Sequence, residues 1–363
     1  MGGGEDRAAQ GQPPAPARAM LPRLELLAAA ALFSTGGAAI KAVHFGGWQV
    51  ACLRSGIAAL ALLLLVPQVR RRPTGRMLLV AACYAVTMVL FVLANKLTTA
   101  ASTIFLQASA PLFVLLLSPW LLRERIRRGD LVSMAAIAAG FALLVAGLEP
   151  ASATAPEPLR GNLLAALTGL TWGLTILGMR ALGRGGPAPS ASPAAARGAR
   201  AAVTAVTAVT AAMGSAPRAA RDVAGEESDG VAARRSTDAI VAAFWGNVLA
   251  SAFALPWSLP LPASRLGDWL LLAFLGIFQI AFAYILLTRG IGRVPALEAS
   301  LLLMLEPVLS PLWAWLVHGE RAGVRVLSGG ALILAATLLN SWSNARTAAR
   351  EAPAPVGAAR EPL

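Results

Sequence analysis

"ALEASLLLMLEPVLSPLWAWLVHGER", residues 296–321, would read as one membrane-crossing helix were it not for Glu306 and Pro307 near its middle. A charged side chain at bilayer depth costs about 2.5–3.5 kcal/mol even on the lenient insertion scale, so Glu306 must face a cavity or a partner. Pro307 has no N–H and its ring disturbs the carbonyl four residues back, which exposes the Leu303 C=O. Residues 100–125, "AASTIFLQASAPLFVLLLSPWLLRER", align with this stretch without a gap at an offset of 196. Pro111 meets Pro307, Glu124-Arg125 meets Glu320-Arg321, and Pro111 exposes the Gln107 carbonyl as Pro307 exposes that of Leu303.

The duplication extends upstream. Phe33-Ser34 meets Trp172-Gly173 and Lys41-Ala42 meets Arg180-Ala181, both at an offset of 139. The chain is therefore two copies of one unit, and the difference between the offsets is sequence inserted in the second copy. Its place is Gly183 to Asp238, a tract of Ala, Pro, Gly, Arg and Thr with almost no aromatics, whereas the equivalent connection in the first copy is a few residues around Gly46. Such a composition cannot bury enough apolar surface to offset the entropy of ordering, so 183–238 reads as a disordered linker. "AAVTAVTAVTAAM" at 201–213 is a candidate interfacial helix with no assigned function.

Composition names the solvent. With 57% hydrophobic and 13% charged residues and a mean hydropathy of +0.65, the apolar residues fall in blocks long enough to cross a bilayer. Ten spans are expected, at 24–43, 48–67, 77–95, 100–120, 130–148, 161–182, 239–258, 267–288, 296–317 and 324–342. Helices are the form that satisfies the backbone in lipid. The first block reads as a retained helix rather than a cleaved signal, given its length and the spans that follow. Cys52 and Cys83 both fall inside spans and offer neither a disulfide framework nor metal spacing.

Arginine fixes the expected orientation. With the N-terminus in the cytoplasm, 23 of the 31 Lys and Arg lie in the tails and inward loops, while the outward loops hold Lys41, Lys96, Arg160, Arg265, Arg321 and Arg325. That is the positive-inside pattern, with both termini and the linker cytoplasmic. It also accounts for the net charge of +13 without nucleic acid, for which no compact basic face with stacking aromatics is found. Arg-rich, Lys-poor usage fits a GC-rich bacterial genome, hence a cytoplasmic membrane.

Five spans per copy means that the copies cross the membrane in opposite directions. The expected fold is an all-α membrane protein of ten helices in two inverted five-helix repeats, 24–148 and 161–342, with tails at 1–23 and 343–363. Inverted repeats create a central site that can open alternately to either side.

The Pro-centred "SAPLFVLLLSPWLLRER" and "LEPVLSPLWAWLVHGER", the "GLTWG" of the second half and the Gly-rich "LSGGALILAATLLN" resemble the EamA family of the drug/metabolite transporter superfamily. The chain departs from that family's usual pattern in Phe33-Ser34, where Trp-Gly is common, and in the long linker. The resemblance implies a ten-helix carrier, and many members are exporters of amino acids and related small metabolites. The expected partners are a small-molecule substrate, protons, the lipid bilayer and, as a further candidate, a second copy of the chain. No cofactor or metal is expected.

Two readings stand for Glu306: a proton-coupling or amine-binding carboxylate beside freed carbonyls, or a hydrogen-bonding partner for a neighbouring helix next to a packing kink. Arg54, two turns into the second span, either lines a cavity or snorkels to the interface. Glu298 either borders the same cavity as Glu306 or pairs with Arg293. Gln107, Gln279 and Tyr284 serve a substrate path or hydrogen-bond helix to helix. Trp172, Trp245, Trp313 and Trp315 either stack on substrate or pack. Glu124 and Glu320 are expected to pair with neighbouring arginines, and His44 and His318 to lie near the outer surface without a companion.

No nucleophile with a base, no metal-ligand set and no phosphate loop is present, so neither an enzyme nor an ATP-driven pump is expected. A secondary transporter, a channel-like facilitator, and a sensor or scaffold acting through the basic linker remain.

Overall fold

The computed structural model describes residues 15–121, 128–146, 150–184 and 225–351. Ten segments among them are apolar and long enough to cross a membrane, Met20–Ala42, Gly47–Leu65, Gly75–Leu97, Ala100–Leu121, Gly129–Ala146, Pro158–Leu182, Thr237–Ser258, Leu266–Ile291, Leu297–His318 and Val324–Arg346. Each overlaps one of the ten expected spans, and the fold is all-α.

Several spans are not single helices. The first is α1 (Ala15–Ser34) and α2 (Gly36–Ala42). The second and third are α3 (Gly47–Leu65) and α4 (Gly75–Leu97). The fourth is split into α5 (Ala100–Gln107) and α6 (Ala110–Leu121), and α7 (Arg128–Ala146) is the fifth. The second half follows the same order with α8 (Pro158–Arg184) and α9 (Gly225–Ser258). Its third span joins α10 (Leu266–Ala273) to α11 (Ala283–Ile291) through a wider π-helical segment, Phe274–Phe282. Its fourth is split into α12 (Ala296–Leu303) and α13 (Leu305–His318), and α14 (Val324–Glu351) ends it.

The breaks at Ala108-Ser109 and at Met304 are repeat equivalents, each just ahead of the proline that removes a backbone donor. Where a single kinked helix was expected, each of these spans is two helices.

Contacts between the halves follow the inverted symmetry. Span three packs on span six, and its counterpart, span eight, packs on span one; spans two and seven, and spans five and ten, pair with each other. At the crossing of α7 and α14, a Cβ added to Gly140 would lie 2.7 Å from the Gly329 carbonyl oxygen, so two bare glycine backbones touch where no side chain fits. Leu79, Trp120, Val132, Leu266 and Val324 present the apolar outer belt that lipid covers.

The end of the tract expected as a disordered linker is helical. Helix α8 runs to Arg184 and α9 begins at Gly225, so the last part of 183–238 is helical. Its opening "GEESDG" is acidic, which a helix N-terminus favours, and the propensity of this short stretch was masked by the composition around it. The candidate interfacial helix at 201–213, and Glu124, lie outside the described residues.

Candidate functional site

A cavity of about 900 Å³ lies between the halves. Such a volume suits a small metabolite. It runs from Phe33 and Trp172, near the middle of their spans, and from Phe91 and Ile104, nearer the far ends of theirs, to the end of the bundle that carries Leu65–Gln68, Thr237–Ile240 and Arg289–Arg293. Among the described residues, the loops at the opposite end do not line it.

Both helix breaks face this space. Gln107 and Ala108 line it from the first half, and Leu303, Met304, Glu306 and Pro307 from the second. Phe33 and Trp172, equivalent in the repeat, also line it together. Inverted duplication thus brings the two copies of one sequence element to a shared wall.

Arg54 lies on that wall at 2% exposure and does not reach the interface. Its Nη2 approaches Met88 Sδ at 4.0 Å and its guanidinium lies 6.0 Å from the centre of the Phe91 ring, while Nε and Nη1 have no hydrogen-bond partner. A buried cation with two unfilled donors is costly without a ligand or counter-charge. Glu306 lies on the same cavity with no hydrogen bond or ion pair among the described residues, so the helix-bonding reading of this residue has no partner to name.

Tyr284 lines the same cavity as Arg54 and Glu306. It packs edge-on against Phe33 and against Tyr84, with ring centres 5.3 and 5.8 Å apart. Gln279, in the π-helical segment, donates from Nε2 to the Phe33 carbonyl at 3.3 Å, bridging two spans, while its Oε1 is left without a donor. Gly36 makes that approach feasible, since a Cβ there would lie 2.8 Å from Nε2. Gln107 Oε1 is likewise buried and unfilled. The wall therefore offers orphaned donors on Arg54, orphaned acceptors on Gln107 and Gln279, and the carboxylate of Glu306.

Two of the expected site residues lie elsewhere. Pro111 is buried in α6 off the cavity. Glu298 forms a two-pronged ion pair with Arg23, one contact at 3.1 Å, and Arg293 approaches Glu25 at 4.0 Å instead. The break at Met304 separates α12 from α13, so a face count along one straight helix misplaces Glu298 relative to Glu306.

The other aromatic and acidic residues divide between packing and pairing. Trp313 Nε1 donates to Ser34 Oγ at 3.0 Å, Trp315 is 51% exposed on the lipid side, and Trp245 packs edge-on against Phe244. Glu320 pairs with Lys41 rather than with a neighbouring arginine, and His44 has a companion after all, with Nδ1 2.9 Å from Asp268 Oδ1. Both partners are distant in sequence and adjacent only once the halves close.

Tyr84, fully buried behind Trp172 and Tyr284, escaped the sequence reading. Its hydroxyl accepts from Asn247 Nδ2 at 3.3 Å. The chain has only two tyrosines, and both falling mid-span was the available signal.

The EamA-like transporter family matches residues 23–146 and 230–342, more than half of the chain, and the chain belongs to that family. An uncharacterized transporter of Archaeoglobus fulgidus is 33% identical over 99 residues, a match covering 27% of this chain and 36% of that protein. The chain thus matches about a third of that relative's length. A crystal structure at 18% identity covers 91% of this chain and 99% of its own, with a TM-score of 0.53, a likeness of fold. The protein is a multi-pass membrane protein of a transporter family.

Proposed function

We infer that the protein is a secondary transporter that exports small polar metabolites, amino acids or related compounds, across the cytoplasmic membrane, with Glu306 carrying the coupling proton. The observation that carries this is that Arg54, with two unfilled donors, and the Glu306 carboxylate line one cavity that reaches a single end of the bundle. A solute with an anionic group and an N–H donor complements that wall at both kinds of orphaned atom. A proton on Glu306 would neutralise the carboxylate when the solute has left, which links the two ions' movements.

In this reading the tract end is cytoplasmic, so the cavity faces the cell interior and is poised to load. The arginines of the tails and loops at that end support the orientation. The test is reconstitution. Liposomes containing the protein are loaded with a metabolite mixture, and the solutes lost faster than from protein-free liposomes are identified. Selective loss of a few zwitterionic or anionic solutes, faster when the trans side is acid, is expected; uniform loss of all small solutes would point to a channel.

A further inference from the structure

At the end opposite the cavity mouth, charges tie the two halves together. Lys41, in the last turn of α2, lies with Nζ 3.2 Å from Glu320 Oε2, and the two side chains are 4% and 3% exposed. Lys41 Nζ also donates to the Thr98 carbonyl at 2.7 Å and to the Thr154 carbonyl. Glu320 Oε1 accepts from the Ala100 N–H at 2.6 Å, in the first turn of α5, where a helix N-terminus favours a carboxylate. Beside them Lys96 donates to the Val43 carbonyl at 2.5 Å, His44 meets Asp268, and His318 Nε2 lies 2.8 Å from the Ala38 carbonyl.

At this end charged side chains are paired across the halves, although Glu320 Oε2 has the Lys41 ion pair and no hydrogen bond and Asn95 Oδ1 has no hydrogen-bond partner. A buried ion pair adds little net stability, because desolvation offsets its attraction; its established use is to select one arrangement over another. Lys41 belongs to the first half and Glu320 to the second, so the pair exists only while these ends of the halves are together. If they part, water replaces each partner and most of the loss is recovered. The repeat carries the same two signs in the other half, at Arg180 and Glu124; Glu124 lies outside the described residues.

We propose that Lys41 and Glu320 form the latch of a far-side gate, whose release opens the cavity to that side while the mouth at Thr237–Ile240 closes. This rests on the transporter reading and its orientation, but the latch can be tested without a substrate.

In a background carrying Cys52→Ala and Cys83→Ala, Ser310→Cys reports on the space between latch and cavity. Ser310 is 2% exposed, and a Cβ on Gly37 of α2 would lie 3.4 Å from its Oγ. Thr237→Cys reports on the mouth. Membrane-impermeant thiol reagent is added to one side or the other of sealed vesicles. With the latch intact, Ser310→Cys should be protected and Thr237→Cys labelled. Glu320→Gln, which keeps an acceptor for Ala100 but removes the charge, should speed far-side labelling of Ser310→Cys roughly tenfold or more and slow that of Thr237→Cys. Lys41→Met should act in the same direction, and Lys41→Arg should retain protection. Unchanged labelling at both positions, or faster labelling at both, would overturn the latch, the second because it signals general loosening. The same reciprocal change seen with the sides exchanged would support the latch and overturn the orientation instead.

Discussion

Gln107 and Leu303 end helices at equivalent points of the two halves, and both line one cavity. A single duplicated proline position has thereby produced two helix breaks that face each other across the pseudo-two-fold arrangement. Irregular backbone at membrane depth is tolerated where it borders a cavity, and here it does. Arg54 and Glu306 add the charges that such a polar pocket can hold.

Arg54→Met should separate function from stability. The native guanidinium is buried with two unfilled donors, so a methionine of similar length removes a desolvation cost and keeps most of the packing. Thermal unfolding in detergent should show a midpoint unchanged or raised, with stabilisation of up to about 1–4 kcal/mol, while solute export falls at least tenfold. A lowered midpoint would make Arg54 a structural residue.

The glycine crossing of α7 and α14 should not accept a side chain. Gly140→Val places atoms where the Gly329 carbonyl now lies, and overpacking of this kind costs about 1–3 kcal/mol. A lower unfolding midpoint with normal membrane insertion is expected. No change would mean that the two helices part more easily than their contact implies.

Removing residues 185–224 should leave insertion and export largely intact. The first half makes the same connection in a few residues around Gly46, and the deletion spares the helical start of α9 at Gly225. Fluorescence-detected size exclusion and the export assay measure the two effects; an aggregated or inactive product would show that the tract is needed.

The ends of the bundle should be labelled from opposite sides. Gln68→Cys, beside the mouth, and Arg321→Cys, just past the latch, bracket one crossing direction of each half. In the same cysteine-free background, impermeant reagent should reach Gln68→Cys from the cytoplasmic side and Arg321→Cys from the other. Labelling of both from one side would contradict the inverted arrangement.

Much of this was legible in the sequence because lipid constrains it tightly. Ten apolar blocks, the duplicated Pro and Glu-Arg, and five spans per copy lead to the inverted all-α fold with little freedom left. Arg54, Gln107, Gln279, Tyr284, Trp172, Glu306 and Pro307 could be singled out because polar or helix-breaking residues are conspicuous in apolar segments, and all seven line the cavity. Pairings between halves were not legible. Glu298 with Arg23 and Glu320 with Lys41 join residues hundreds of positions apart, and nearer arginines were the obvious alternatives. Spacing along one helix also failed at Met304, since a break resets the angle between the residues on either side.

The role of Glu306 is the central claim, and gradient-driven flux in proteoliposomes tests it most directly. Glu306→Gln keeps size and hydrogen-bonding capacity but cannot gain or lose the proton. For an exporter that takes up a proton as solute leaves, acid on the trans side should accelerate native efflux. In Glu306→Gln the ratio of flux with and without the gradient should fall to about one, with exchange of labelled for unlabelled solute and the unfolding midpoint preserved. Pro307→Ala, by contrast, should disturb both states of the gradient assay equally, since it alters the helix break and not the titrating group. Full gradient-driven acceleration in Glu306→Gln would contradict the proton site.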